Sequence, residues 1–211
     1  MLSKITYDNV VKGLITISLL FMAFGAKAAD FSGKVGIASD NYFRGVNMSD
    51  GFGYSATGLV NLDNGIWLGA NVMSMDETSD LMTGFGIGYG FNVGDVDLNV
   101  VYIDRGFQGI DIDGWEEVGV SADFDLFSVS YFKGLDEADD FYKVESSALK
   151  VVDVAYGDYD NAGSYLEVSK SFDLAAGSVK VGFIDHDNND EDLLDKVQDV
   201  DNFYVGYSYK F

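Results

Sequence analysis

Phe203, Val205, Tyr207, Tyr209 and Phe211 stand two residues apart at the end of the chain, so in a strand all five point to one side. Tyr204, Gly206, Ser208 and Lys210 take the other side. An apolar, aromatic face backed by small and polar residues suits a strand with hydrocarbon outside and water inside. A soluble β-sandwich edge would alternate too, so the rest of the chain must decide between them.

The alternation recurs through the sequence. Phe31, Gly33, Val35 and Ile37 form one face of a first expected strand, and Phe52, Tyr54, Ala56, Val60 and Leu62 that of a second. Asp63-Asn64-Gly65 is a tight turn, because Asn and Gly tolerate positive φ. Residues 66–76 make a third strand of ambiguous phase, where Trp67 and Met73 compete with Leu68 and Val72 for the outer face. In the fourth, Leu81, Thr83, Phe85, Ile87, Tyr89 and Phe91 alternate with Met82, Gly84, Gly86, Gly88 and Gly90. Four glycines on one face mean either that another element packs closely there or that the lumen needs room. Further strands follow with Val96 to Tyr102, Val118 to Phe124 and Phe127 to Tyr131 outward, then at 164–173 and 178–185, before the terminal strand.

The expected fold is therefore all-β: a transmembrane antiparallel up-and-down β-barrel of about ten strands, within a range of eight to twelve. Short turns at 63–65, 92–95, near Asp125 and at 174–177 alternate with longer polar connections at 41–51, 77–80, 104–114, 134–163 and 186–201. Short turns at one end and long loops at the other suit a bacterial outer-membrane barrel. The segment Phe141–Tyr156 holds a further apolar run and is either a hairpin in a long loop or two more wall strands. The chain contains neither Pro nor Cys. Absence of Pro leaves every residue able to donate to a ladder, and absence of Cys excludes disulfides and thiolate metal sites.

Residues 1–28 read as a secretory signal peptide: Lys4 and Lys12, a short apolar core from Gly13 to Phe24, then Ala26-Lys27-Ala28 as the cleavage site. The core falls short of the roughly 20 residues that span a bilayer. Residues 29–211 are then a single barrel domain, exported through the periplasm to the outer membrane. Cleavage takes the formal charge from −22 to −24. The acidic balance disfavours nucleic acid and anionic solutes, and it concentrates cations.

Arg44, four residues after Asp40, stands where the first strand meets its loop, and Arg105 occupies a similar place. Each is either a fixed charge lining the pore mouth or half of a structural ion pair that pins a loop. Asp97, Glu117 and Asp123 face the lumen and, with Gly84, Gly86, Gly88 and Gly90, complete the expected pore lining, where Lys34, Lys180 and Lys210 could pair across it. The connections at 134–163 and 185–201 are strongly acidic and form the expected outer rim. Asp185 to Asp190 opens like a calcium loop, but Asp190 stands where the turn glycine belongs and Lys196 where the bidentate Glu belongs. No metal site or cofactor is expected. His186 is the sole histidine and no Ser has a nucleophile's context, so catalysis is not expected.

Ser39-Asp40-Asn41-Tyr42-Phe43-Arg44-Gly45 resembles the start of the TorF-type porin family of proteobacterial outer-membrane proteins. There a first strand runs into Ser-Asp-Tyr-x-Phe-Arg-Gly before a short polar stretch and a second strand. Here Ser39, Asp40, Phe43, Arg44 and Gly45 match; Tyr42 lies one place late, and the family's usual Pro is absent near Phe52-Gly53-Tyr54. The resemblance implies an outer-membrane barrel with a transport role. The terminal strand, ending on Phe211, likewise resembles the signal read by the barrel-assembly machinery. Outer-membrane lipid, that machinery, and small solutes or cations are the expected partners. The function expected is a narrow porin with cation preference; a non-conducting barrel acting through acidic loops, in adhesion, envelope stability or divalent-cation binding, is the alternative.

Overall fold

The computed structural model describes residues 29–49, 51–75, 80–109, 113–135, 138–160, 163–187 and 200–211; the expected signal peptide lies outside them. Among the described residues there are fourteen strands: β1 (Ala29–Ala38), β2 (Tyr42–Phe43), β3 (Val46–Asn47), β4 (Gly53–Leu62), β5 (Ile66–Met75), β6 (Asp80–Val93), β7 (Val96–Gln108), β8 (Trp115–Asp123), β9 (Phe127–Gly134), β10 (Phe141–Ser146), β11 (Asp153–Tyr159), β12 (Gly163–Leu174), β13 (Gly177–Asp187) and β14 (Val200–Lys210). All but β2 and β3 form one closed antiparallel barrel of neighbouring strands, sealed where β1 pairs with β14. The wall thus has twelve strands rather than about ten. The two extra ones are β10 and β11, so Phe141–Tyr156 is wall and not a loop hairpin.

This division moves several acids. Glu145 and Asp153 do not belong to an outer rim; they end β10 and begin β11 at the short-turn end of the barrel. Asp139, Asp140, Asp158 and Asp160 remain at the long-connection end. Asp140 accepts from the Tyr131 hydroxyl and from the Gly134 amide, at 3.0 Å for the latter. The Tyr131 bond, then the Gly134 amide and Lys133, holds its carboxyl below the usual range despite some desolvation. Of the expected acidic segment at 185–201, residues 188–199 lie outside the described residues; Asp185 and Asp187, which open the calcium-like stretch, end β13.

Strand phase follows the alternation. Phe85, Ile87, Tyr89, Val100, Tyr102, Val118, Val120, Leu166, Val181, Phe203 and Val205 are exposed on the outer face. Aromatic rings gather at both ends of that belt: Tyr89, Phe91, Phe124, Phe127, Tyr209 and Phe211 toward the short turns, and Phe85, Tyr131, Tyr142, Tyr156 and Phe203 toward the long connections. An apolar belt edged by aromatic rings is the pattern of a wall suited to hydrocarbon between two interfaces. The terminal strand docks as its pattern requires. Gly33 and Phe211 exchange backbone hydrogen bonds of 2.8 and 3.0 Å, and the Phe211 ring occupies the space that a side chain at residue 33 would need.

In β5 the ambiguous phase resolves with Leu68, Ala70 and Val72 outward, in register with Val60, Gly58 and Ala56, so Trp67 and Met73 point inward. The glycine lane of β6 explains why. The Trp67 indole lies across Gly86 and Gly88 and donates to Asn99 Oδ1 at 2.7 Å, while the Asn71 amide covers Gly84. Of the two explanations for these glycines, close packing holds at Gly84 and Gly88, where a Cβ would come within 2.4 and 2.3 Å of a side chain. At Gly86 and Gly90 a Cβ would meet ordinary contacts, the nearest at 3.4 and 3.9 Å.

Gly88→Val should therefore displace Trp67 and cost about 2 kcal/mol through overpacking and a lost buried hydrogen bond. Gly90→Ala should be nearly neutral. Thermal unfolding followed by heat-modifiable gel mobility distinguishes the two, and equal effects would contradict the packing described.

Candidate functional site: a hairpin inside the barrel

The polar connection between β1 and β4 does not stand above the wall. Its strands β2 and β3 pair with each other, Tyr42 with Asn47 and Phe43 with Val46, and the turn between them reaches into the lumen. Arg44 and Gly45 both have positive φ, 49° and 89°. That is the backbone of a tight hairpin, which suits Gly45 and strains Arg44. Asn41 anchors the base: its Nδ2 donates to Ser74 O and Ser74 Oγ at 3.0 Å each and to Tyr54 O at 3.2 Å. Its backbone amide donates to Ser49 Oγ at 2.7 Å, and Gly53 leaves room for its amide group.

At the tip, Arg44 Nη1 and Nη2 donate to Glu117 Oε1 and Oε2 at 2.5 and 2.8 Å. Arg105 Nε donates to the same carboxylate, Oε2, at 3.2 Å. Glu117 is 1% exposed. It projects from β8 on the far side of the lumen from the β1–β4 wall that carries the hairpin. The Arg44 guanidinium lies 4.3 Å from the Phe141 ring centroid, 4.5 Å from Phe132, 5.1 Å from Phe43 and 5.7 Å from Tyr159. The Arg105 guanidinium lies 4.6 Å from Phe43. Tyr165 packs on Gly45, Tyr42 against Tyr204, and Phe43 against Trp115. Phe141, Tyr165 and Ile184 form a buried core with Tyr42, Phe132 and Tyr159 packed on it. Half of the lumen, the half toward the long connections, is thus filled like the interior of a soluble domain.

The other half is open and lined by polar groups. A cavity of about 400 Å³ is lined by Asp123, Asp125, Glu145, Asp153 and Glu167, against Lys34 and Lys180, with Ser128, Ser169 and Ser171 between them. Lys180 Nζ donates to Glu167 Oε1, and Tyr204 Oη donates to the same oxygen at 2.5 Å, below the hairpin.

The expected lining residues separate into these two environments. Arg44, Arg105 and Glu117 meet in one buried triad, with Arg44 on Glu117 rather than on Asp40 four residues away. Asp40 is half-buried ahead of the hairpin. Asp123 lines the cavity, and Asp97 stands opposite it in register near the short turns, accepting from Asn92. Lys180 pairs not across the lumen but along the wall, with Glu167 of the neighbouring strand β12, a residue the sequence had not marked. The aromatic cage had not been expected either. Its signal was present in the sequence, since Phe132, Phe141 and Tyr159 fall on the inward phase of strands whose inner faces are otherwise small or polar. His186 is buried in the β13 wall in register with Tyr165.

No family profile and no curated protein matches the sequence. Among solved structures, the chain is similar to a KdgM porin at 12% identity and a TM-score of 0.57, over 85% of this chain and 99% of that one. A KdgM porin in complex with disordered oligogalacturonate aligns at 9% identity and 0.52, over 87% and 98%. The fold is that of outer-membrane porins.

Glu117→Ala should cost the folded barrel about 3–5 kcal/mol, because it leaves two buried guanidinium groups without a counter-charge. Arg105→Ala leaves the Arg44–Glu117 pair intact and should cost less. Urea unfolding in detergent measures both, and the reverse order would contradict the triad as described.

Proposed function

We propose that the protein is an outer-membrane barrel that passes small solutes, preferentially cations, through a narrow lumen constricted by the Arg44 hairpin. The observation that carries this reading is the division of the lumen. A polar cavity toward the short-turn end meets a stopper made from one connection, not from wall strands. The cavity lining carries five carboxylates against two ammonium groups, and such walls raise the local concentration of cations. Twelve strands lie between the eight that side chains can fill and the sixteen or more of open channels, so one inserted hairpin is enough to close the passage. The exposed aromatic-edged belt supports contact with outer-membrane lipid, and the aromatic terminal strand supports recognition by the barrel-assembly machinery. Porin-like neighbours also favour transport over catalysis.

The tight packing around the hairpin favours a second reading, a non-conducting barrel that acts through its acidic connections. Planar-bilayer recording under a potassium chloride gradient separates the two. Wild-type protein should show small, infrequent steps with a reversal potential favouring potassium. Replacing residues 42–47 by a short glycine linker should make openings larger and more frequent. Raising the salt to about 1 M should weaken the selectivity, as the Debye length falls to about 3 Å. Silence from both proteins, each shown to be folded by heat-modifiable mobility, would favour the second reading.

A further inference from the structure

The surroundings of the Arg44 head group have the composition of a receptor for that head group. A carboxylate takes two of its nitrogens in a fork, at 2.5 and 2.8 Å, which is the geometry that distinguishes guanidinium from ammonium. The rings of Phe132, Phe141 and Tyr159, from three successive wall strands, approach the guanidinium carbon at 4.3 to 5.7 Å. Aromatic faces around a desolvated cation are the usual means of recognising organic cations.

Two further features make the occupant exchangeable. Glu117 is shared with Arg105 at 3.2 Å, so withdrawal of Arg44 leaves a matched pair and no orphaned charge. The group that fills the pocket also arrives on a hairpin whose tip is strained at φ 49°, not on a wall strand fixed by the ladder.

We infer that Phe132, Phe141, Tyr159 and Glu117 form a lumenal binding site for guanidinium-bearing solutes, which Arg44 fills as an internal stand-in. Solutes of this class compete with Arg44 for the cage, and their binding releases the hairpin. The inference names the cation class for the passage proposed above and rests on that reading for its role in transport; the binding itself does not depend on conduction.

Arg44→Gly provides the test. It removes the head group and relieves the backbone strain, since glycine readily adopts this φ. The refolded variant is titrated with methylguanidinium and, separately, with methylammonium, which has the same charge without the fork. Trp115, packed against Phe43 beside the cage, reports binding by fluorescence, and heat-modifiable mobility reports stability. Methylguanidinium should change both at about tenfold lower concentration than methylammonium, and wild-type protein, whose cage is filled, should respond far less. Should Arg44→Gly refold poorly, the refolding yield becomes the readout and should rise with methylguanidinium alone. Equal responses to the two cations, or no response in fluorescence, stability or yield, would overturn the inference. Neither outcome depends on bilayer currents, so failure here and failure of the passage reading are separately visible.

Discussion

One carboxylate holds the interior of this barrel together. Glu117 is the counter-charge for two guanidinium groups, one from the adjacent strand β7 and one delivered across the lumen on a hairpin. A buried charge of this kind is tolerated only when its partners are in place and well aligned. The placement of Arg44 therefore fixes the path of residues 41–49, and that path fixes which rings can close around it. Remove the carboxylate, and the hairpin has an apolar core to enter but no reason to bring a cation with it.

The lumen is consequently two materials in series. Toward the long connections, side chains interlock around Phe141, Tyr165 and Ile184 as in a domain core. Toward the short turns, acids and lysines face a cavity of about 400 Å³. The Lys180–Glu167–Tyr204 cluster lies at the boundary, with Tyr204 touching both the hairpin's Tyr42 and the charged pair below. A barrel of this girth gains most of its closure from one short insertion, because twelve strands leave little cross-section to fill.

Much of the wall was legible in the sequence, because a period of two is a local property. The outward faces around Phe85, Val120 and Phe203 and the docking of Phe211 all follow from alternation. Strands β10 and β11 were harder, since they are short and the apolar Leu149 and Val151 belong to the turn between them, where both are exposed. Glu145 and Asp153 consequently stand at the opposite end of the barrel from the one expected. The site was legible only in part. Arg44 and Glu117 could each be named as lumenal, but they lie 73 residues apart and nothing local joins them. The hairpin strands have two residues each, too few to show a period. The clue passed over was an excess of rings in the inward phase, at Phe132, Phe141 and Tyr159.

The hairpin springs from β1, and β1 is also the strand that seals the cylinder. Its joint with β14 runs from Gly33–Phe211 to Ala38–Gly206, whereas its joint with β4 is longer and runs the full length of both strands. Any pull that draws Arg44 out of its pocket is transmitted along β1 to that shorter joint. Mechanically, the stopper and the closing seam share one piece of chain, so loosening the first loads the second.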